Sequence, residues 1–590
     1  ISGSGSPGQS RLAVATFCFH SSLSCLLTLH SAFRLHMTID HESDEDFGPE
    51  TTPLVVGKKQ PSRTVGIHKP VVVNDLSSAG LFLRNLERHF GYKLLVILMI
   101  SQHLMKGFAS SLIGPAAQYL YASYKVGGPR MQIFSGVTSL PWAMKPVIGL
   151  ISDCLPLRGY NKGPYMLISS LAGVCAFAAL GALPASSLSL ERVVGCLFLI
   201  QLQFSTCDLL AEAKYAEKMQ AKPQHGPDLL SFVWFGLQVG GLMATICIGP
   251  IMERMGEKAP YLIALVPASI ILMPVARNFM EERPRTDAEV QEHRTHMFHQ
   301  KEACLLCVLM FAGTISLTVL GISYDSVFVN AFAAIAVAVV MLFAFSVVLR
   351  PVIAKVNAFF LIQTSLGVSI GGASFYFYTD TEEQYPDGPH FSMVFFTSVL
   401  GVVGSVCSLI GILSYQRFMK DWTYRNLLLM TNVALSLLST ADVILLSRLN
   451  KRVGIPDTVF VLGANVLQSV VAQWMWMPGV VILSQLCPKG MEATMYALLA
   501  GCHNLGNTIA SNCGALVLHL LGCEPSGQRN ETDQFKHLWV GSALATVLPM
   551  CTLLLLPWLI PDARQTDKIL EEGDRDATSG SLWRRWTSAD

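Results

Sequence analysis

The stretch SQHLMKGFASSLIG sets Lys106 inside an apolar run, with His103 three residues before it and Ser110 four after, a spacing that predicts one shared helical face. A second run, FLIQLQFSTCDLLAEAKYAEKM, carries Gln201, Ser205, Asp208, Glu212 and Tyr215 at steps of four, three, four and three. That spacing draws a single polar stripe along an otherwise apolar helix. Two acids one turn apart repel, so Asp208 and Glu212 need a cation partner or a shared proton. Ionisable groups are costly in such runs, and Lys106, His103, Asp208 and Glu212 are therefore the residues whose types suit binding a charged ligand or carrying a proton. Gln238, in a weaker stripe with Ser231, Trp234 and Thr245, adds a neutral donor and acceptor.

A third constellation is a bend, KPVIGLISDCLPLRGYNKGPY at residues 145–165, between two apolar runs. Lys145 stands one turn before Gly149, and glycine permits close helix approach. Asp153 is expected to accept from a helix amino end or to pair with Arg158 or Lys162, while Pro156, Gly159 and Pro164 fix the turn. Lys145, Gly149, Asp153, Arg158, Gly159 and Lys162 thus read as a charge clip that holds two helices on one side and breaks when that side opens.

The elements that must position these groups follow from composition. Of 590 residues, 51% are hydrophobic and 14% charged, too apolar for a soluble domain of this size and placing the chain in a lipid bilayer. A net charge of +1 hides a segregation of charge into tails and short connectors, a pattern that points away from nucleic acid. The fifteen cysteines fall mostly singly, and Cys304-Leu-Leu-Cys307 has no second pair, so neither a metal nor a cofactor is expected. Helices are predicted near 93–121, 130–151, 164–184, 192–213, 229–252 and 259–277, then near 303–323, 327–349, 355–378, 391–416, 423–447, 457–485, 495–523 and 537–560. The fold class is all-α and polytopic, with about 12–14 transmembrane helices in two bundles.

The domain reading has residues 1–36 as an upstream segment before Met37 and 37–92 as a disordered cytoplasmic tail. An N-terminal six-helix bundle follows at 93–277, then a central cytoplasmic loop at 278–302 and two extra helices at 303–349. The C-terminal six-helix bundle takes 350–560, and a cytoplasmic tail 561–590. Lys and Arg concentrate in connectors on one side, among them Arg158, Lys162, Lys214, Lys218, Arg417, Lys420 and Arg425, which puts both termini inside. The sequon Asn530-Glu531-Thr532 then falls in the last outer loop. A weak internal repeat lays SSLIGPAAQYLYASYKVGGPRMQ beside VSIGGASFYFYTDTEEQYPDGPH, each a small-residue helix end, an aromatic cluster and a Gly-Pro turn, and each is followed by a helix and a basic bend.

The bend resembles the hallmark of the folate–biopterin transporter family, a branch of the major facilitator superfamily, in Lys145, Pro146, Gly149, Ser152, Asp153, Pro156, Gly159, Tyr160, Pro164 and Tyr165. DLLAEAKYAEKM with SFVWFGLQVGG, SFYFYTDTEEQYPDGPHFS and CPKGMEATMYALLAGCHNLGN resemble its other blocks, and the tail HMTIDHESDEDFGPE looks similar to kinetoplastid members. The sequence departs from the pattern at Asn161-Lys162, where the family often has two basic residues. The resemblance implies a plasma-membrane carrier of pterins or folates (biopterin, folate), driven by a coupling proton. Its alternatives are an S-adenosylmethionine or other small-metabolite transporter, or a non-transporting nutrient sensor on the same fold. A membrane enzyme is disfavoured, because no HExxH occurs and His103, His503 and His519 are scattered. A pterin's adjacent N–H donors suit a carboxylate such as Asp208 or Glu212, and folate's carboxylates suit Lys106 or Lys145.

Overall fold

The computed structural model describes residues 76–299, 301–487, 492–567, 569–570 and 577–587. Residues 1–36 and most of the expected N-terminal tail lie outside them. The part of that tail that is described differs from the expected disorder: α1 (Leu76–Phe90) is a helix, because apolar positions 79, 82, 83, 86 and 90 recur at helical spacing. The chain divides into two compact units after Gly91, and the rest of the fold belongs to the unit from Tyr92 onward.

In that unit α2 (Tyr92–Ser123), the broken pair α3 (Gly128–Ala143) and α4 (Lys145–Cys154), α5 (Gly163–Ala182), α6 (Leu190–Ala221), α7 (Gly226–Met255) and α8 (Ala259–Ala276) form the first set. A short helix α9 (Asp287–His299) lies in the expected central loop, and α10 (Lys301–Ser323) and α11 (Val327–Val348) follow it. The second set is α12 (Pro351–Leu366) with α13 (Gly371–Thr379), α14 (Val394–Phe418), α15 (Tyr424–Leu446), α16 (Asp457–Gln485), α17 (Glu492–Leu520) and α18 (Thr532–Leu554). Twelve of these segments are long and apolar enough to cross a membrane. Adding α17 and the α3–α4 pair, which pack among them, gives fourteen, the upper end of the expected range.

Two local departures from regular helix matter. Residues Met99–Ala109 of α2 wind as a π-helix, a wider coil that is rare and concentrates at functional sites. The second run breaks at Met144, between Pro141 and Pro146, where missing backbone N–H donors cannot sustain the ladder.

At the end of the molecule bearing residues 155–162, a segment after the last helix of each set returns to fasten a turn. In the first set the Glu282 carboxylate accepts from the backbone N–H groups of Lys162 (2.9 Å) and Gly163 (2.8 Å), capping α5, and the Arg285 N–H donates to the Gly159 carbonyl (2.9 Å). In the second, the Gln565 amide donates to the Met419 carbonyl (2.8 Å) and its oxygen accepts from the Tyr415 hydroxyl. The Tyr424 N–H also donates to the Ala563 carbonyl (3.0 Å), and Gln485 donates to the Gln565 carbonyl (2.7 Å). These two straps fasten the turns that the internal repeat sets side by side, so the expected tail from 561 begins as a packed element.

The opposite end is sealed across the two sets. The Gly128 N–H donates to the Pro525 carbonyl (2.8 Å), Lys125 reaches the Gly527 carbonyl (3.0 Å), and the Tyr376 hydroxyl donates to the Val126 carbonyl (2.6 Å). Farther in, α7 and α14 touch where Gly249 donates to the Ser398 hydroxyl (3.0 Å). Toward the strapped end this face of α7 comes free, leaving Trp234 and Gln238 exposed.

Candidate functional site

Asp208, 1% exposed, is clamped between two lysines. Lys106 Nζ donates to its Oδ1 at 2.8 Å and Lys145 Nζ to its Oδ2 at 2.5 Å. Charge-assisted bonds to both oxygens offset the desolvation that a lone buried carboxylate would suffer. Lys145 also approaches Glu212 Oε2 at 3.8 Å, and Glu212 keeps 41% of its side-chain surface open. The Trp142 ring lies 4.8 Å from Lys145 Nζ, and its indole N–H donates to Gln201 (3.0 Å), so the polar stripe of α6 and the end of α3 support one ion cluster. Two cations and two anions leave it neutral, with only Glu212 substantially open.

The expected groups do not all meet. The π-helical turn takes His103 away from Lys106: its ring lies 4.6 Å from that of Phe232 on α7, and a Cβ on Gly236 would come within 2.1 Å of it. His103 therefore packs between helices instead of joining the cluster. Gln238 is exposed and makes no hydrogen bond to the charged residues of the cluster. Lys145, read as part of the clip, instead joins Asp208, because the break at Met144 re-aims it from the loop toward α6.

The clip itself is built differently from the expectation. The Asp153 carboxylate pairs with neither Arg158 nor Lys162. Arg158 (φ 54°) and Gly159 (φ 84°) turn the loop in the left-handed region, which leaves Arg158 exposed, and Lys162 approaches Glu217 at 3.8 Å. A Cβ on Gly149 would meet the Leu209 side chain of α6 at 3.7 Å, an ordinary contact that does not itself require glycine. Sequence reasoning missed Glu282, an acid in a charged loop like many others, and Trp142, an aromatic in an apolar run. Uncharged polar side chains of the second set act between helices: Asn465 donates to the Leu400 carbonyl (2.9 Å), and Gln468 to Asp442 (3.0 Å). Among the described residues no group of three His, Cys, Asp or Glu side chains is placed to hold a metal.

At the sealed end Asp380, just past α13, is buried with Oδ2 unpartnered. Burial, and next the Glu531 carboxylate, push its pKa up to about 7, with Lys125 acting against them. A folded-state value above the ordinary aspartate one near ~4 means stability that is present at low pH and lost as pH rises through about 7. The melting temperature of the purified protein is expected to fall between about pH 5 and pH 8, and Asp380→Asn to flatten that slope. An unchanged slope in the variant would rule Asp380 out as its source.

Two helical sets, joined at a sealed end and holding a buried ion cluster, make up a fold of the major-facilitator type. Solved structures with the same architecture include a peptide transporter POT in complex with sulfate (TM-score 0.55, 13% identity, 80% of this chain and 96% of that one). A D-xylose-proton symporter matches at a TM-score of 0.51 with 12% identity, over 80% of this chain and 99% of that one. The chain belongs to the BT1 family, whose model matches residues 106–579. Relatives include the folate-biopterin transporter of Synechocystis (27% identical, 75% of this chain and 77% of the relative). Probable folate-biopterin transporter 2 of Arabidopsis thaliana is 25% identical over 81% of this chain and 86% of its own length. Folate transporter 2 of Plasmodium falciparum is 22% identical over 85% and 95%. The chain is an integral membrane transporter, and its relatives are transporters rather than enzymes.

Proposed function

We propose that this transporter imports pterins and folates across the plasma membrane by alternating access, coupled to protons, with both termini in the cytoplasm. The observation that carries the proposal is the Lys106–Asp208–Lys145 clamp with Glu212 open beside it. Both Asp208 oxygens are taken, so Glu212 is the carboxylate left open to carry a proton. The lysines are the cations for a folate carboxylate. A ligand carboxylate drawn to Lys145 displaces part of its attraction for Asp208 and Glu212, and a proton on Glu212 restores the balance of charge. Anion and proton would then travel together. The names of the relatives support this choice of substrate, and the sealed end supports a cycle in which that end opens and the strapped end closes.

The test is uptake of radiolabelled biopterin, folate and S-adenosylmethionine into a transport-null host, at external pH of about 6 and about 8. Saturable uptake of biopterin or folate, faster at the acid pH, is expected. Uptake of S-adenosylmethionine alone would replace the substrate, and equal rates at both pH values would remove the proton.

A further inference from the structure

The ion cluster belongs to the first helical set; the second carries a different kind of surface. Trp476 of α16 is 52% exposed yet does not lie on its helix's free side. Gln468 reaches α15 and Trp474 donates to Gly411 of α14 (3.1 Å), while Gly479 packs toward the Phe360 ring of α12. Leu467, 54% exposed, marks the uncovered side. Nine residues separate it from Trp476, and nine residues at ~100° each place the two on opposite faces of the helix. Trp476 is therefore open toward the interior.

Its ring lies 5.3 Å from that of His503 on α17, tilted by 58°. The His503 Nδ1 shares a hydrogen bond of 3.1 Å with the Thr364 hydroxyl on α12, so three helices fix the imidazole beside the indole. Next to His503, the Asn504 amide donates to the Trp142 carbonyl (3.4 Å), and the Trp142 ring underlies Lys145. The levels agree as well. Trp476, His503 and Asp208 stand nine, eleven and thirteen residues from the strapped ends of their helices, or ~14–20 Å at ~1.5 Å per residue.

We propose that Trp476 and His503, oriented by Thr364, form a flat-ring subsite that takes the fused heterocycle of the substrate while Lys106 and Lys145 take its acidic end. This rests on the pterin and folate reading and adds a division of labour to it. An indole face binds a planar ring by stacking, whatever the ring's edge presents, and the adjacent imidazole supplies an in-plane hydrogen-bonding group. A ligand lying between the two sets would touch both at once.

The experiment is inhibition of labelled folate uptake by two competitors: biopterin, which has the ring without an acidic tail, and p-aminobenzoylglutamate, which has the tail without the pteridine. Trp476→Ala and His503→Ala are compared with wild type at equal surface expression, and Trp476→Phe serves as the conservative control. In Trp476→Ala the biopterin concentration for half-inhibition is expected to rise about 10-fold, from the loss of one stacked face, and to stay near wild type for p-aminobenzoylglutamate. Trp476→Phe should restore biopterin inhibition to within about 3-fold, since a smaller aromatic face remains. His503→Ala should shift biopterin alone, by a smaller factor. Equal shifts for both competitors, or no shift in the alanine variants, would overturn the subsite while leaving the transporter reading intact. Wild-type protein that takes up neither folate nor biopterin would overturn the reading itself, and the subsite with it.

Discussion

Asp208→Asn is expected to abolish uptake. The side chain is 1% exposed and joins two lysines, so the substitution leaves two cations facing each other with their shared anion gone. Breaking a buried ion pair from one side costs about 3–5 kcal/mol, which corresponds to a loss of about 100-fold or more. Part of that loss will appear as less protein at the membrane, so uptake is read per molecule at the surface. The double variant Asp208→Asn with Lys106→Gln separates the two effects. Removing one uncompensated charge should recover surface expression without recovering uptake. Wild-type uptake in Asp208→Asn would take the clamp out of the transport site.

The second large effect is expected at a glycine outside the ion cluster. A Cβ on Gly372 would lie 2.1 Å from the Gly128 carbonyl oxygen, and the Gly372 N–H already donates to Gln132 at 2.7 Å. Both partners are backbone or tightly held, so neither can yield to a side chain. Gly372→Val should therefore prop the sealed end apart. Overpacking of this kind costs about 1–3 kcal/mol, enough to depopulate one arrangement by roughly 5-fold or more without unfolding the protein. Uptake should fall by at least that factor at normal surface expression, while a cysteine introduced at Gln132 becomes reactive toward an impermeant thiol reagent from the sealed side. Normal uptake with an unreactive cysteine would mean that closure here is not part of the cycle.

Much of this was legible in the chain. Long apolar runs set the helices with little ambiguity, because a bilayer demands length and apolarity together. Lys106, Asp208 and Glu212 stood out since charge in such a run must be compensated. Lys145 was harder: its neighbours Gly149 and Asp153 belong to the bend, and only the break at Met144 turns its side chain back to Asp208. His103 defeated the periodic argument because a π-helix does not keep the spacing of three and four that an α-helix does. Trp142 and Trp476 gave no signal, for an aromatic in an apolar helix reads as packing. The hallmark bend pointed to the family, yet its Asp153 makes none of the ion pairs that charge and proximity suggest.

The second strap carries the packed structure past the last apolar residue of its helical set. By hydropathy the second set is complete at Ile560, and everything beyond it looks like dispensable charged tail. Yet Ala563 and Gln565 hold the turn between α14 and α15 from within, with Gln565 only 6% exposed. A chain terminated or fused at the last apolar residue would lose a piece of its own interior, whereas one extended beyond Thr587 keeps both fastenings. The boundary that matters to the fold lies past the boundary that matters to the membrane.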